Sequence, residues 1–176
     1  MAFIDLARER YSERRFSSTP IEPEKLDLIL EAGRVAPTAR NNQPQRILVV
    51  DSPEGLEKID CATKCRFGAP CVLVLAYDMT AAARNPDVAD FGVVDTSIAA
   101  THMMLQATEL GIHSCWVGLI DPSELRRQLE IPPTYRIISV MDLGYPSEDS
   151  RPADRHAQSL PLDQLVFHES FAPSQQ

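Results

Sequence analysis

Glycine is sparse in this 176-residue chain, and the seven glycines are spread out: Gly33, Gly55, Gly68, Gly92, Gly111, Gly118 and Gly144. No two stand close enough for G-x-G-x-x-G or a P-loop, so a dinucleotide or triphosphate cradled by a glycine-rich turn is excluded. Neither G-x-S-x-G nor H-E-x-x-H occurs. The four histidines, His102, His113, His156 and His168, are scattered. His102 sits in a long apolar segment, where a hydrogen-bonded core or interface histidine is expected rather than a catalytic one. With no side-chain dyad in view, no catalytic residue is assigned and the chemistry falls to a cofactor.

Cysteine is also limited, and Cys61, Cys65, Cys71 and Cys115 lack the spacing of a disulfide scaffold or a C-x-x-C pair. Reduced, mostly buried thiols and no metal site are expected, since structural zinc takes four N or S ligands. Positive charge is in deficit: 17 Lys and Arg stand against 25 Asp and Glu, a formal net charge of −8. Such a balance gives no uniform field to draw nucleic acid or an anionic membrane. No apolar run is long enough to span a bilayer, and "MAFIDLARER" lacks the order of a signal peptide. A cytoplasmic location is expected.

What is present is ordinary globular material, 44% hydrophobic and 24% charged, of a length that suits one domain over 1–176. Periodicity predicts helices over 3–12, 23–33, 53–59, 91–110 and 121–129, and strands over 46–50, 71–77, 114–118 and 135–146. The strand "CVLVLAY" is apolar almost throughout, as an interior strand covered on both faces would be. The helix 91–110 is apolar around most of its circumference, so one of its covering surfaces is expected from a second copy of the chain. Helices interspersed with strands imply an α/β or α+β sandwich around about four strands. The tail from 147 is polar but recovers "LVF" at 165–167, as a docking segment would.

Two stretches carry the chemistry. "RYSERRF" (10–16) crowds forked cations and a hydroxyl together in an acidic chain, a set suited to a phosphate dianion. "APTARNNQP" (36–44) offers Asn41, Asn42 and Gln43 beside Pro37 and Pro44, a set suited to a flat heterocycle edged with donors and acceptors. Together they describe a phosphorylated aromatic ligand. Arg8 and Arg15 are expected on the solvated surface.

These stretches, with "AGRVAPTARNNQPQRILVV", "DTSIAATHMMLQATELGIHSCWVG" and "LGYP", occur in an order that resembles the FMN-dependent nitroreductase family, especially its short members. The resemblance runs from about residue 3 to residue 169. It implies an α+β fold with a mostly antiparallel central sheet flanked by helices, and an interlocked homodimer with FMN at the interface. Arg10, Ser12 and Arg14 match the residues that bind the phosphate and ribityl chain, with Tyr11 acting through its backbone. Pro37, Thr38, Ala39, Asn41 and Gln43 match a loop that reaches the flavin ring from the partner subunit. Val117, Gly118 and Leu119 match the turn whose backbone N–H faces flavin N5, a donor that would stabilise the reduced flavin.

The implied activity is hydride transfer from NAD(P)H through FMN to a small-molecule electron acceptor, such as a nitroaromatic, quinone or flavin, by ping-pong. Other flavin chemistry on the same scaffold (ene reduction, dehydrogenation, dehalogenation) and a non-enzymatic flavin-binding module are the alternatives. The sequence departs from the family pattern twice. Gln45 stands where an aromatic is usual, and Ser159 and Leu160 stand where many relatives carry a basic pair. Arg155, beside His156, is expected to take the anion-binding part.

Overall fold

The computed structural model describes residues 2–85 and 89–171. In chain order it runs α1 (Phe3–Glu9), α2 (Pro23–Arg34), β1 (Gln45–Val50), α3 (Pro53–Ala62), β2 (Cys71–Asp78), β3 (Arg84–Asn85), β4 (Ala89–Asp90), α4 (Phe91–Glu109), β5 (His113–Val117), α5 (Pro122–Gln128) and β6 (Tyr135–Gly144). One sheet has the order β1-β2-β6-β5, and every neighbouring pair in it is antiparallel. β3 and β4 form a separate two-stranded ribbon.

β2 is one of the two interior strands, beside β6, and the alternation of its side chains divides the core in two. Leu73 and Leu75 face Ile29, Met103 and Ala107 of α2 and α4, whereas Val72 and Val74 face Ile59 and Leu125 of α3 and α5. Each face of the sheet is therefore covered by a helical pair, which is why residues 71–77 read as continuously apolar. α3, α4 and α5 begin where the sequence supplies side-chain caps. Ser52 accepts from Gly55 N–H, Asp90 from Gly92 N–H, and Asp121 from Ser123 and Glu124 N–H, with Pro53 and Pro122 opening α3 and α5.

The first helix is shorter than the predicted 3–12. It stops at Glu9 because the next residues are taken into extended pairing. Ser12 bridges Ser114 in parallel, Glu13 N–H donates to the Ser114 carbonyl at 2.9 Å, and Phe16 bridges Pro146. The last strand likewise ends at Gly144 rather than 146.

In α4, Asp95, Ala99 and Met103 are buried against the body, but Val94, Thr101 and His102 are exposed. Helix 91–110 is therefore not enclosed within one chain. Among the described residues the His102 imidazole pairs only with the Ile98 carbonyl, at 2.9 Å. All four cysteines are free; Cys71 and Cys115 are buried, Cys65 is half-buried and Cys61 is exposed. Burial pushes the Cys71 thiol up to about 12 and Cys115 up to about 11, so neither is a nucleophile at neutral pH. No helix among the described residues is long and apolar enough to cross a membrane.

Candidate functional site

The extended segment after α1 is organised by Glu13, whose side chain is 1% exposed. Its Oε1 accepts from the backbone N–H groups of Arg14 and Arg15, both at 2.8 Å. Its Oε2 accepts from the Tyr11 hydroxyl at 3.0 Å and from the Ser150 hydroxyl. A carboxylate that gathers two consecutive N–H groups beneath the chain turns the intervening residues outward, and Arg14 is exposed. His113 Nδ1 lies 3.7 Å from Glu13 Oε2, but burial pushes the imidazole below its ordinary value despite the nearby carboxylates. At neutral pH the His113 ring is therefore uncharged in that contact.

Above this foundation lies a cleft of about 480 Å³ lined by Arg10, Tyr11, Ser12 and Arg14 from one segment and Ala153, Arg155 and His156 from another. The Tyr11 ring stands edge-on to both His113 and His156, with centroids 4.8 and 6.0 Å away. Burial raises the Tyr11 phenol, and its contact with the Ser150 hydroxyl partly offsets this. His156 Nε2 lies 3.0 Å from the Arg8 carbonyl and ties the second wall to the end of α1.

The guanidinium groups are largely unspent. Arg14 Nη1 donates only to the Ser12 carbonyl, at 3.2 Å, and the Arg10 and Arg155 side chains have no partner among the described residues. Three forked cations with free donors around one cleft are the donor set of a phosphate site. Arg8 and Arg15 lie outside it, Arg8 beside Asp5 at 4.0 Å and Arg15 at 3.5 Å from the Asp149 carbonyl.

The loop 36–44 is elsewhere, packed on α4 and on the turn after β2. Arg40, Asn41 and Gln43 adopt left-handed backbone conformations, φ 56°, 56° and 49°, that side chains other than glycine rarely take. The strain is held by specific bonds. Ala39 N–H donates to Asp95 Oδ1 at 2.9 Å, Gln43 N–H to Thr38 Oγ1 at 3.1 Å, and Asn42 Nδ2 to the Ala81 carbonyl at 2.9 Å. Strain so supported concentrates at ligand sites. The loop presents exposed Pro37, Asn41 and Gln43, with Gln43 Nε2 3.2 Å from Asn41 Oδ1. Gln45 tucks its Oε1 into the interior, where it has no partner among the described residues.

The third group, Val117, Gly118 and Leu119, follows β5. Val117 is buried, while Gly118 and Leu119 are exposed. Since Ser12 pairs with Ser114, Gly118, one residue past the end of β5, lies four residues beyond that pairing, about 13 Å away at the rise of an extended chain. The structure thus brings Arg10, Tyr11, Ser12, Arg14 and Arg155 to one end of β5 and the 117–119 turn to the other. It does not bring Pro37, Thr38, Ala39, Asn41 or Gln43 to the cleft within one chain.

Glu13 and Asp95 are supporting residues that sequence reasoning missed. Asp95 was findable: it precedes Ala99 and Met103 at four-residue spacing, which places a charge on the buried stripe of α4. Glu13 was not, because nothing local separates it from the solvated charges beside it.

The nitroreductase family profile matches residues 7–67 and 65–145. A nitroreductase family protein from Clostridium difficile 630 superimposes with a TM-score of 0.90 at 36% identity, over 97% of this chain and all of its own. A protein of Archaeoglobus fulgidus, assigned as an NADH dehydrogenase/NAD(P)H nitroreductase, is 34% identical over 80% of this chain and 83% of its own length. A protein of Desulfovibrio desulfuricans described as a nitroreductase and solved in complex with FMN superimposes with a TM-score of 0.82 at 26% identity, over 98% of this chain and 99% of its own.

Proposed function

The chain belongs to the nitroreductase family, and from that premise we propose that it is an NAD(P)H-dependent FMN oxidoreductase acting as a single-domain homodimer. The observation that carries this reading is the convergence of Arg10, Arg14 and Arg155, with donors to spare, around one cleft at the start of β5. The donor set fits FMN, whose phosphate is a dianion, and the Desulfovibrio relative was solved with that cofactor. When bound, FMN would supply the redox chemistry, hydride transfer between NAD(P)H and an electron acceptor such as a nitroaromatic, quinone or flavin, by ping-pong.

The chain's own residues bind and orient. Arg10, Ser12, Arg14 and Arg155 hold the phosphate end, with Tyr11 contributing its backbone. Val117, Gly118 and Leu119 present backbone groups to the ring. Pro37, Thr38, Ala39, Asn41 and Gln43 contribute from the second copy, which agrees with a rigid, strained loop remote from its own chain's cleft.

The visible spectrum of the purified protein, followed without oxygen during NAD(P)H addition, tests the reading. A yellow protein that bleaches is expected. A chain that stays colourless after incubation with FMN, or stays yellow with either nucleotide, overturns it. Arg10→Ala and Arg14→Ala each lose charge-assisted bonds worth about 1.5–3 kcal/mol, so FMN affinity should fall roughly ten- to a hundredfold in each. Wild-type affinity in both variants removes the assignment of the cleft.

A further inference from the structure

The turn after β5 is fastened to the end of α3 through one buried hydroxyl. Thr63, the C-cap of α3, is 5% exposed. Its Oγ1 donates to the Leu119 carbonyl at 2.7 Å and accepts from Cys65 N–H at 3.1 Å. Beside it, Asp121 N–H donates to the Ala62 carbonyl at 2.8 Å. The last two residues of this helix end therefore grip the turn at Leu119 and Asp121.

Inside the turn, Ile120 N–H closes onto the Gly118 carbonyl at 3.1 Å, a three-residue γ-type closure. The described peptides are all trans, and in a trans peptide C=O and N–H point in opposite directions. Folding the Gly118 carbonyl in toward Ile120 thus directs the Leu119 N–H outward. That side is open: a Cβ at Gly118 would meet nothing within 4 Å, and Leu119 is 77% exposed.

We propose that Thr63 is a positioning residue which, by holding the Leu119 carbonyl, fixes the direction of the backbone N–H that this turn presents to bound flavin and so sets the flavin's reduction potential. The proposal rests on the FMN reading above. A fixed dipole acts at full strength because it need not reorganise when charge develops, whereas a turn free to rock averages its dipole away. Without the hydroxyl, the Leu119 carbonyl and Cys65 N–H lose their partners and the turn relaxes around them.

Thr63→Val keeps the branched shape and removes the donor, while Thr63→Ser keeps the donor. In the FMN-bound proteins, Thr63→Val should lower the midpoint potential by about 30 mV or more, a tenfold change in the relative affinity for oxidised and reduced flavin. In the FMN-free chain, the Ile120 amide should exchange with solvent at least tenfold faster in Thr63→Val, and Thr63→Ser should restore both properties. Normal FMN uptake with an unchanged potential in Thr63→Val overturns the proposal alone, whether or not the amide exchanges faster. A wild-type chain that takes up no FMN overturns the functional reading and the proposal with it.

Discussion

Three carboxyl groups are buried among the described residues, and they differ in how far their oxygens are met by hydrogen bonds. Glu13 is fully engaged, with two backbone N–H groups and two hydroxyls on its oxygens. Asp95 is half engaged: Oδ1 takes Ala39 N–H, and Oδ2 has no partner among the described residues. Asp142, on β6 between Val72 and Cys115 of its neighbouring strands, is 0% exposed with neither oxygen partnered among the described residues. Burial pushes Asp142 up to about 8 from an ordinary 3.8, with Arg66 opposing the shift and Asp60 adding to it. Below about pH 4 both folded and unfolded chains hold this proton, so it leaves stability unchanged there. Between about 4 and 8 the folded chain keeps a proton that the unfolded chain gives up, and stability falls as pH rises, by at most about 1.4 kcal/mol per unit. Asp142→Asn cannot ionise, so its stability relative to wild type should rise by at least about 2 kcal/mol between pH 5 and pH 8, measured by urea unfolding. A difference independent of pH would mean that Asp142 is ionised in the fold. The sequence reading assigned none of these three residues, because a buried charge is a tertiary fact that its neighbours in sequence announce only on a regular stripe, as at Asp95.

At the scale of elements, the start of α4 is held by several contacts at once. Asp90 caps the helix through Oδ1, and its Oδ2 accepts from the Tyr77 hydroxyl at 2.5 Å and Arg136 Nη1 at 3.1 Å. Gly92 lies flat on the Tyr77 ring, so that a Cβ there would fall inside the van der Waals radii of Cδ2 and Cε2. Tyr77 is buried in β2 and tethered at its hydroxyl, so the helix must move instead. Gly92→Ala should cost about 2–3 kcal/mol, roughly 5–10 °C in Tm. Asp95, one turn further on, should shift with it and loosen the strained 36–44 loop. The check is Tm together with limited proteolysis of that loop; an unchanged Tm would show that Tyr77 yields. The predicted helices and strands appear in the stated order, because each buried face leaves a period in the sequence. The boundary at α1 was misjudged for a reason equally physical: residues 10–12 suit a helix locally, but pairing with β5 and the Glu13 carboxylate outbid that preference. Loop 36–44 could be read for its composition but not for its three left-handed residues, which depend on Asp95 and Ala81.

At the scale of the whole molecule, one chain leaves two surfaces without cover. The outer side of α4 exposes Val94, Thr101 and His102, and every residue from Arg151 to Phe171 is exposed. That arm carries Leu160, Leu162, Leu165 and Phe167 at 46–73% exposure, too much apolar surface to leave in water without a partner. The anion cleft takes its second wall from the root of this arm, at Ala153, Arg155 and His156, and the loop expected over the ring lies far from the cleft of its own chain. In the homodimer proposed above, a second copy would receive the arm and return the loop, covering both surfaces. How the two groups would meet could not be read from sequence, since no period or cap records a relation between chains; their composition suggested one ligand, and only the family resemblance implied that the loop comes from the partner subunit. The consequence is measurable. Wild-type protein should run in light scattering at about twice its 19.6 kDa chain mass. Ending the chain after Gln158 keeps Arg155 and His156 but removes the apolar arm, none of whose described residues is buried in its own chain. Folding by circular dichroism should survive. Each Leu or Phe withdrawn from the interface forfeits about 1.5–3 kcal/mol, so dimer affinity should drop at least a hundredfold, equivalent to about 2.8 kcal/mol. FMN should be lost in step with the dimer, because the loop bearing Asn41 and Gln43 leaves with the partner. A truncated chain that stays dimeric would show that the arm is not the clasp, and a wild-type monomer that binds FMN would show that one chain suffices.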